Sequence, residues 1–246
     1  MRPPSPVGAL AVMGRLTEAS NATFLTRDEA DQLWVYKPVA GEAPLWDFPH
    51  GTLSRREVAA YELSEALGFG VVPRTLWFDG PAGEGSVQAW IDGGVTDLVD
   101  LLRPEQLDES WLPVVAGVDE KDRPIFLAHR DDPRLRALCL FDLVINNSDR
   151  KAGHIIADGD AIVGVDHGVS MHVADKFRTV LWGFAGDPLT PSDTDTLRRV
   201  VALPGPPEGL SDQEWEAMGR RAEELLAQGV FPTPSHQWPA IPWPAW

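Results

Sequence analysis

Residues 146 to 155, NNSDRKAGHI, place an acid, basic side chains, two amides, a hydroxyl and a histidine within ten positions. A nearly unbroken apolar run, Leu138 to Ile145, interrupted by Asp142, leads into this stretch, and the apolar pair Ile155-Ile156 follows it. The continuation HIIADGDAIVGVDHG carries two short apolar strands around Asp158-Gly159-Asp160, a hairpin signal. Antiparallel pairing about a turn centred near Gly159 sets His154 across from Val163 or Gly164, and Asp166 across from Lys151 or Ala152. Asp166 thereby emerges beside the loop that holds Asp149 and His154. Either acid alone would serve equally well as a turn cap. Two carboxylates and an imidazole at one end of a hairpin suit a hard cation that carries phosphate oxygens. Asp142, an acid within an apolar helix, needs donors, so it is expected to buttress the loop rather than react.

The elements that must position these groups are legible in outline. LAVMGRLTEASNATFLTR reads as two strands around a polar turn, Glu18 to Asn21. DQLWVYKP alternates, with Leu33, Val35 and Lys37 on one face and Trp34 and Tyr36 on the other. SRREVAAYELSEALGFG predicts a helix that stops at Gly68 or Gly70, and Ser54 and Glu57 have the spacing of a capping box at its start. VVPRTLWF and GSVQAWI are two further extended runs. After Asp92-Gly93-Gly94 the pattern predicts helices and irregular segments. Asp132-Pro133 is a good N-cap and first-turn pair for a helix through Ile145, and further helices cover DTDTLRRVVAL and SDQEWEAMGRRAEELLAQG. The tail FPTPSHQWPAIPWPAW reads as a strap packed on the surface. The expected architecture is α+β in two lobes: residues 1–92, a β-rich lobe with one helix, and 93–246, a mostly helical lobe.

Composition narrows the partners. The chain has 246 residues with 37 acids against 21 bases, a net charge of −16. That balance argues against nucleic acid, whose binding rests on Lys and Arg neutralising phosphates, and against stable docking on an anionic membrane. One cysteine, Cys139, excludes an internal disulfide and any CxxC zinc site, and it is expected only to pack. No apolar stretch approaches the ~20 residues of a membrane span. The expectation is a cytoplasmic protein.

DRKAGHI followed by VDHG resembles the catalytic segment of phosphatidylinositol 3/4-kinase-like enzymes, a branch of the protein-kinase-like fold. REVAAYELSEALGFGVVPRT is similar to the helix-and-strand segment of the type II phosphatidylinositol 4-kinase branch, and HipA-like and secretory-pathway kinases share the layout. The resemblance implies a two-lobed kinase-like fold that binds ATP with Mg2+ or Mn2+ and transfers phosphate to a hydroxyl of an unidentified protein or small molecule. It implies that Asp149 and Arg150 open the catalytic loop, with Asp149 orienting or deprotonating the acceptor hydroxyl. His154 and Asp166 stand at the metal-ligand positions. Lys37 would contact donor phosphates and pair with Glu57, with Glu62 or Glu65 as alternative partners on the same helix. Gln88, Trp90 and Ile91 fall in the connector against which adenine lies, and Ser20 and Asn21 at the first turn would donate to phosphates.

Several positions depart from that family. There is no G-x-G-x-x-G loop, His154 stands where Asn is usual, and His167 where Phe or Asn often follows the metal-binding acid. The segment His172 to Thr190 is short for an acceptor-recognition loop, and there is no cysteine-rich membrane anchor. Two other functions are compatible with the same residues. One is a nucleotide-binding pseudokinase that regulates a partner. The other is a metallohydrolase built from Asp149, His154, Asp166, His167 and His172.

Overall fold

In the computed structural model, which describes residues 5–16, 21–48, 53–235 and 238–246, the first part of the chain forms a five-stranded antiparallel sheet. Its strands are β1 (Ala11–Arg15), β2 (Phe24–Arg27), β3 (Leu33–Pro38), β4 (Thr75–Gly80) and β5 (Gly83–Ala89), in the order β1-β2-β3-β5-β4. Side chains on a strand alternate between faces. Trp34 and Tyr36 of β3 are therefore buried together with Val87 and Ala89 of β5, beneath Leu10. Val35 and Lys37 turn to the opposite face, which looks into a cleft.

Between β3 and β4 the chain forms α1 (Leu53–Leu67), which packs against β4 and β5 and ends before Gly68 at φ 78°. The expected capping box is not made. Ser54 Oγ donates instead to Lys37 O (3.0 Å) and Glu42 Oε1 (2.6 Å), and Glu42 accepts from the backbone N–H of Leu53 and Ser54 (2.9 and 2.7 Å). A carboxylate reaching in from the preceding loop meets the positive end of the helix. Glu57 is free to point elsewhere.

After Gly94 the structure departs from the expected run of helices. A three-stranded sheet comes first: β6 (Val99–Leu102), β7 (Trp111–Val118) and β8 (Pro124–Arg130), in the order β6-β8-β7. β7 is an edge strand with mostly exposed side chains, and its pairing shifts between Pro113 and Val115. It carries a proline-broken apolar run rather than the alternation that marks a half-buried strand.

The second lobe is built around α2 (Pro133–Val144). Asp132 caps it through Arg134 N–H (2.8 Å), with Pro133 in the first turn. Leu135, Leu138, Phe141 and Val144 are fully buried, Leu140 nearly so, and Cys139 packs among them without a disulfide partner. A helix apolar on nearly every side belongs at the centre of a core. α1, α3 (Pro191–Ala202) and α4 (Asp212–Gln228) contribute Leu63, Leu197 and Met218 to the same cluster. Strands β9 (Ile155–Asp158) and β10 (Ala161–Gly164) form the hairpin. Its two-residue turn, with Gly159 at φ 58°, pairs Ile155 with Gly164, and Val165 N–H donates to His154 O (2.9 Å). His154 thus faces Val165, one step beyond the expected register, because the turn centres between Gly159 and Asp160. The tail crosses the surface as a strap. Ala240 O accepts from Thr179 N–H and Trp182 Nε1, and Ala245 O accepts from Ala152 N–H. No helix among the described residues is long and apolar enough to cross a membrane.

Candidate functional site

The two lobes enclose a cleft of about 940 Å³, lined by Asn21, Lys37, Glu57, Gln88, Trp90, Ile91, Asp149, His154 and Asp166 among others. At its centre Lys37 Nζ touches Glu57 of α1 and lies 2.8 Å from Asp166 Oδ1. Glu57 also accepts the backbone N–H of His167 through Oε2 (3.0 Å). One carboxylate thereby joins β3, α1 and the segment after the hairpin. Asp166 sits at φ 61°, a left-handed backbone that is costly for a residue with a side chain and is retained where the surroundings enforce it. Its second oxygen is 3.5 Å from His154 Nε2.

Charge follows from these contacts. Burial disfavours the Lys37 ammonium, but Asp166 and Glu57 outweigh it and hold its pKa above the ordinary value. Lys37 in turn holds the Asp166 carboxyl well below the usual range, against its desolvation. Burial pushes Glu57 upward despite Lys37. Burial takes His154 down to about 4, against the pull of Asp166, so its imidazole is neutral near pH 7. A neutral imidazole beside a carboxylate suits a divalent cation. Among the described residues no three or more His, Cys, Asp or Glu side chains are arranged to hold a metal by themselves. A cation at His154 and Asp166 would therefore complete its shell with phosphate oxygens and water. The metallohydrolase set is not gathered: His167 is buried under the loop, and the His172 ring lies edge-on against Phe48.

Asp149 projects into the cleft from a pinned loop. Its N–H donates to Asn147 Oδ1 (3.0 Å), and Asn147 Nδ2 donates to Asp142 Oδ1 (2.9 Å). Its carboxylate is 3.4 Å from Lys151 Nζ and 3.9 Å from Arg178 Nη2. Burial raises its pKa, and the two cations partly offset that. Lys151 and Arg178 are site residues that sequence reasoning missed. Arg178 lies in an irregular segment where no periodicity could mark it.

Arg150 corrects an expectation. It is fully buried and cannot touch a substrate, so it is a positioning residue rather than a catalytic one. Its guanidinium donates to both Asp142 oxygens (2.7 and 2.9 Å), to Val165 O (2.7 Å) and to His154 O (3.3 Å), and meets His167 Nε2 at 2.8 Å. Gly164 makes room for it, since a Cβ there would lie 2.9 Å from Arg150 Nη2. Gln88 lines the cleft, but its amide donates to Thr75 Oγ1 (2.9 Å). The N–H groups of Ala89 and Trp90 are taken by Arg74 O and Leu33 O. Asn21 Oδ1 accepts Ala43 N–H (2.8 Å), and Ser20 lies outside the described residues.

No family profile matches the chain. Protein Rv2133c of Mycobacterium tuberculosis (strain ATCC 25618 / H37Rv) is 46% identical over 261 residues, covering 97% of this chain and 92% of that protein. Among solved structures, the Golgi casein kinase with Mn/ADP bound is similar at a TM-score of 0.52 and 16% identity, over 91% of this chain and 72% of that one. A second crystal structure of the Golgi casein kinase gives a TM-score of 0.52 at 15% identity, over 94% and 78% of the two chains. The chain has a protein-kinase-like fold.

Two predictions follow from the site's geometry. Arg150→Ala strands the Asp142 carboxylate without its partner and should cost about 3–5 kcal/mol of stability by denaturant unfolding. A loss below about 1 kcal/mol would show that the pair does not hold the loop. His154, at about 4 when folded and near ~6.5 when unfolded, takes up its proton in the unfolded chain first. Its contribution is therefore intact above about pH 6.5 and is lost as pH falls toward 4. Between pH 7 and 5 the unfolding free energy should drop more in the natural protein than in His154→Asn, and equal drops would contradict the assignment.

Proposed function

The chain belongs to the family of Protein Rv2133c, and we propose that it is an ATP-dependent phosphotransferase acting on a hydroxyl of a protein or small molecule. The observation that carries this reading is Lys37, held in the cleft between Glu57 and Asp166 and facing the loop of Asp149. The order Lys37, Glu57, Asp149, Asp166, which resembles that of phosphatidylinositol 3/4-kinase-like enzymes, supports it. The protein-kinase-like fold supports it as well. In this reading residues 1–92 bind nucleotide and 93–246 carry the catalytic loop, in a cytoplasmic protein with no nucleic-acid partner and no stable membrane association.

Phosphoryl transfer asks for positioning and charge neutralisation. Lys37 supplies a fixed cation for the donor phosphates, and Glu57 keeps it aimed. His154 and Asp166 would hold Mg2+ or Mn2+, which neutralises phosphate charge when bound; imidazole tilts the pair toward Mn2+. Adenine would lie against the run from Gln88 to Ile91 and meet the Ile91 backbone. The acceptor oxygen attacks the γ-phosphorus, the bond to the β–γ bridging oxygen breaks, and ADP leaves. Asp149 takes the hydroxyl proton, and its raised pKa makes it a better base for that step.

Millimolar ATP with manganese should raise the melting temperature, by the equivalent of about 2.7 kcal/mol at a hundredfold excess over Kd. Lys37→Ala should remove most of that shift. An unmoved melting temperature in the natural protein would overturn the proposal.

A further inference from the structure

Two cations stand beside the single carboxylate of Asp149. Lys151 and Arg178 both approach it, at 3.4 and 3.9 Å. Lys151 is the nearer of the two to the carboxylate. Arg178 is set differently. Its Nε donates to Ser148 O (2.5 Å), which fixes the guanidinium, and its Cζ lies 5.8 Å from the centroid of the Trp238 ring of the strap. Its separation from Asp149 is too long for a hydrogen bond, and it lines the cleft. Its neighbour Lys176 is already matched by Asp47 at 3.0 Å. A pre-oriented guanidinium whose terminal nitrogens hydrogen-bond no other described residue, beside the acid that receives the acceptor's proton, is a receptor for a planar or tetrahedral anion.

We infer that the acceptor is a small alcohol bearing a phosphate or carboxylate, and that Arg178 holds this anion while Asp149 takes the proton of the attacking hydroxyl. The inference rests on the phosphotransferase reading. When Asp149 becomes protonated its charge disappears, and an anionic acceptor then balances Arg178 where a neutral one would not. The segment beside the site favours a small molecule over an extended peptide, which needs free backbone groups or an open groove. His172 O and Ala174 O accept from Asn146, Arg178 N–H donates to Asn147 O, and Thr179 N–H donates to Ala240 O of the strap. Trp46 and Trp238 wall the same end of the cleft, where both rings lie within about 5 Å of Lys176 Nζ (4.7 and 5.2 Å).

The test measures ADP release by the full chain with ATP and Mn2+ on matched alcohols: glycerol 3-phosphate and glycerate against glycerol, and glucose 6-phosphate against glucose. An acidic serine-containing peptide is the fourth arm. The charged members should be preferred by about tenfold or more in kcat/KM, and Arg178→Gln should raise their KM by a similar factor, with Arg178→Lys intermediate. In the natural protein added salt should raise KM for the charged alcohols and leave the neutral ones unmoved, a readout that does not depend on a variant folding. Equal use of neutral and charged members, preference for the peptide, or a KM indifferent to salt and to Arg178→Gln would each overturn the inference. If nucleotide binds but no charged alcohol is used, the acceptor class is wrong while the phosphotransferase reading stands. If nucleotide does not bind, both fall.

Discussion

Arg150 and Asp142 face each other with neither side chain exposed, and charges so placed persist only when every donor and acceptor around them is matched. A pair of this type adds little net stability; what it fixes is geometry. From one guanidinium the hydrogen bonds reach the last turns of α2, the backbone of His154, the backbone of Val165 and the ring of His167. Asp142 also anchors Asn147, which in turn holds the backbone of Asp149. The acid of the loop and both residues assigned to the cation are thus positioned from a single buried contact.

Glu57 does for the lobes what Arg150 does for the loop. It holds Lys37 of the sheet and the backbone after Asp166, so that one carboxylate ties the two lobes together at the charged groups. The left-handed backbone at Asp166 is maintained by this arrangement, with Lys37 bound to its carboxylate on one side and Glu57 on the adjoining peptide on the other. In the proposed function, donor phosphates would compete with Asp166 for Lys37 and leave that carboxylate less neutralised beside a cation.

How much of this was legible in the sequence depended on the range of the interaction. The two faces of β3 follow from alternation, and the start of α2 from Asp132-Pro133, because both are local. The meeting of His154 with Asp166 follows from a short hairpin, although its register slipped by one because the turn centre falls between two residues. The need of Asp142 for donors is legible, but the sequence does not separate its partner Arg150 from the catalytic groups, since burial beneath a loop has no sequence signature. Ser54 and Glu57 show the opposite failure. Their spacing fits a capping box, yet Glu42 caps the helix from the preceding loop and Glu57 serves Lys37, a pairing that only the family resemblance suggests. β7 has no legible signature because an exposed edge strand broken by a proline lacks alternation, and Arg178 has none because it lies in no regular element.

In the proposed function these contacts assemble a group-transfer centre rather than a site that only holds nucleotide. The most direct measurement is the manganese-dependent rate of ADP formation from ATP in the natural protein and in Asp149→Asn, with nucleotide Kd determined for both. The substitution should leave Kd within about twofold and lower the rate by about 10²-fold or more, the scale of a lost general base. Equal rates in the two proteins, or no turnover in either despite bound nucleotide, would contradict the proposed function.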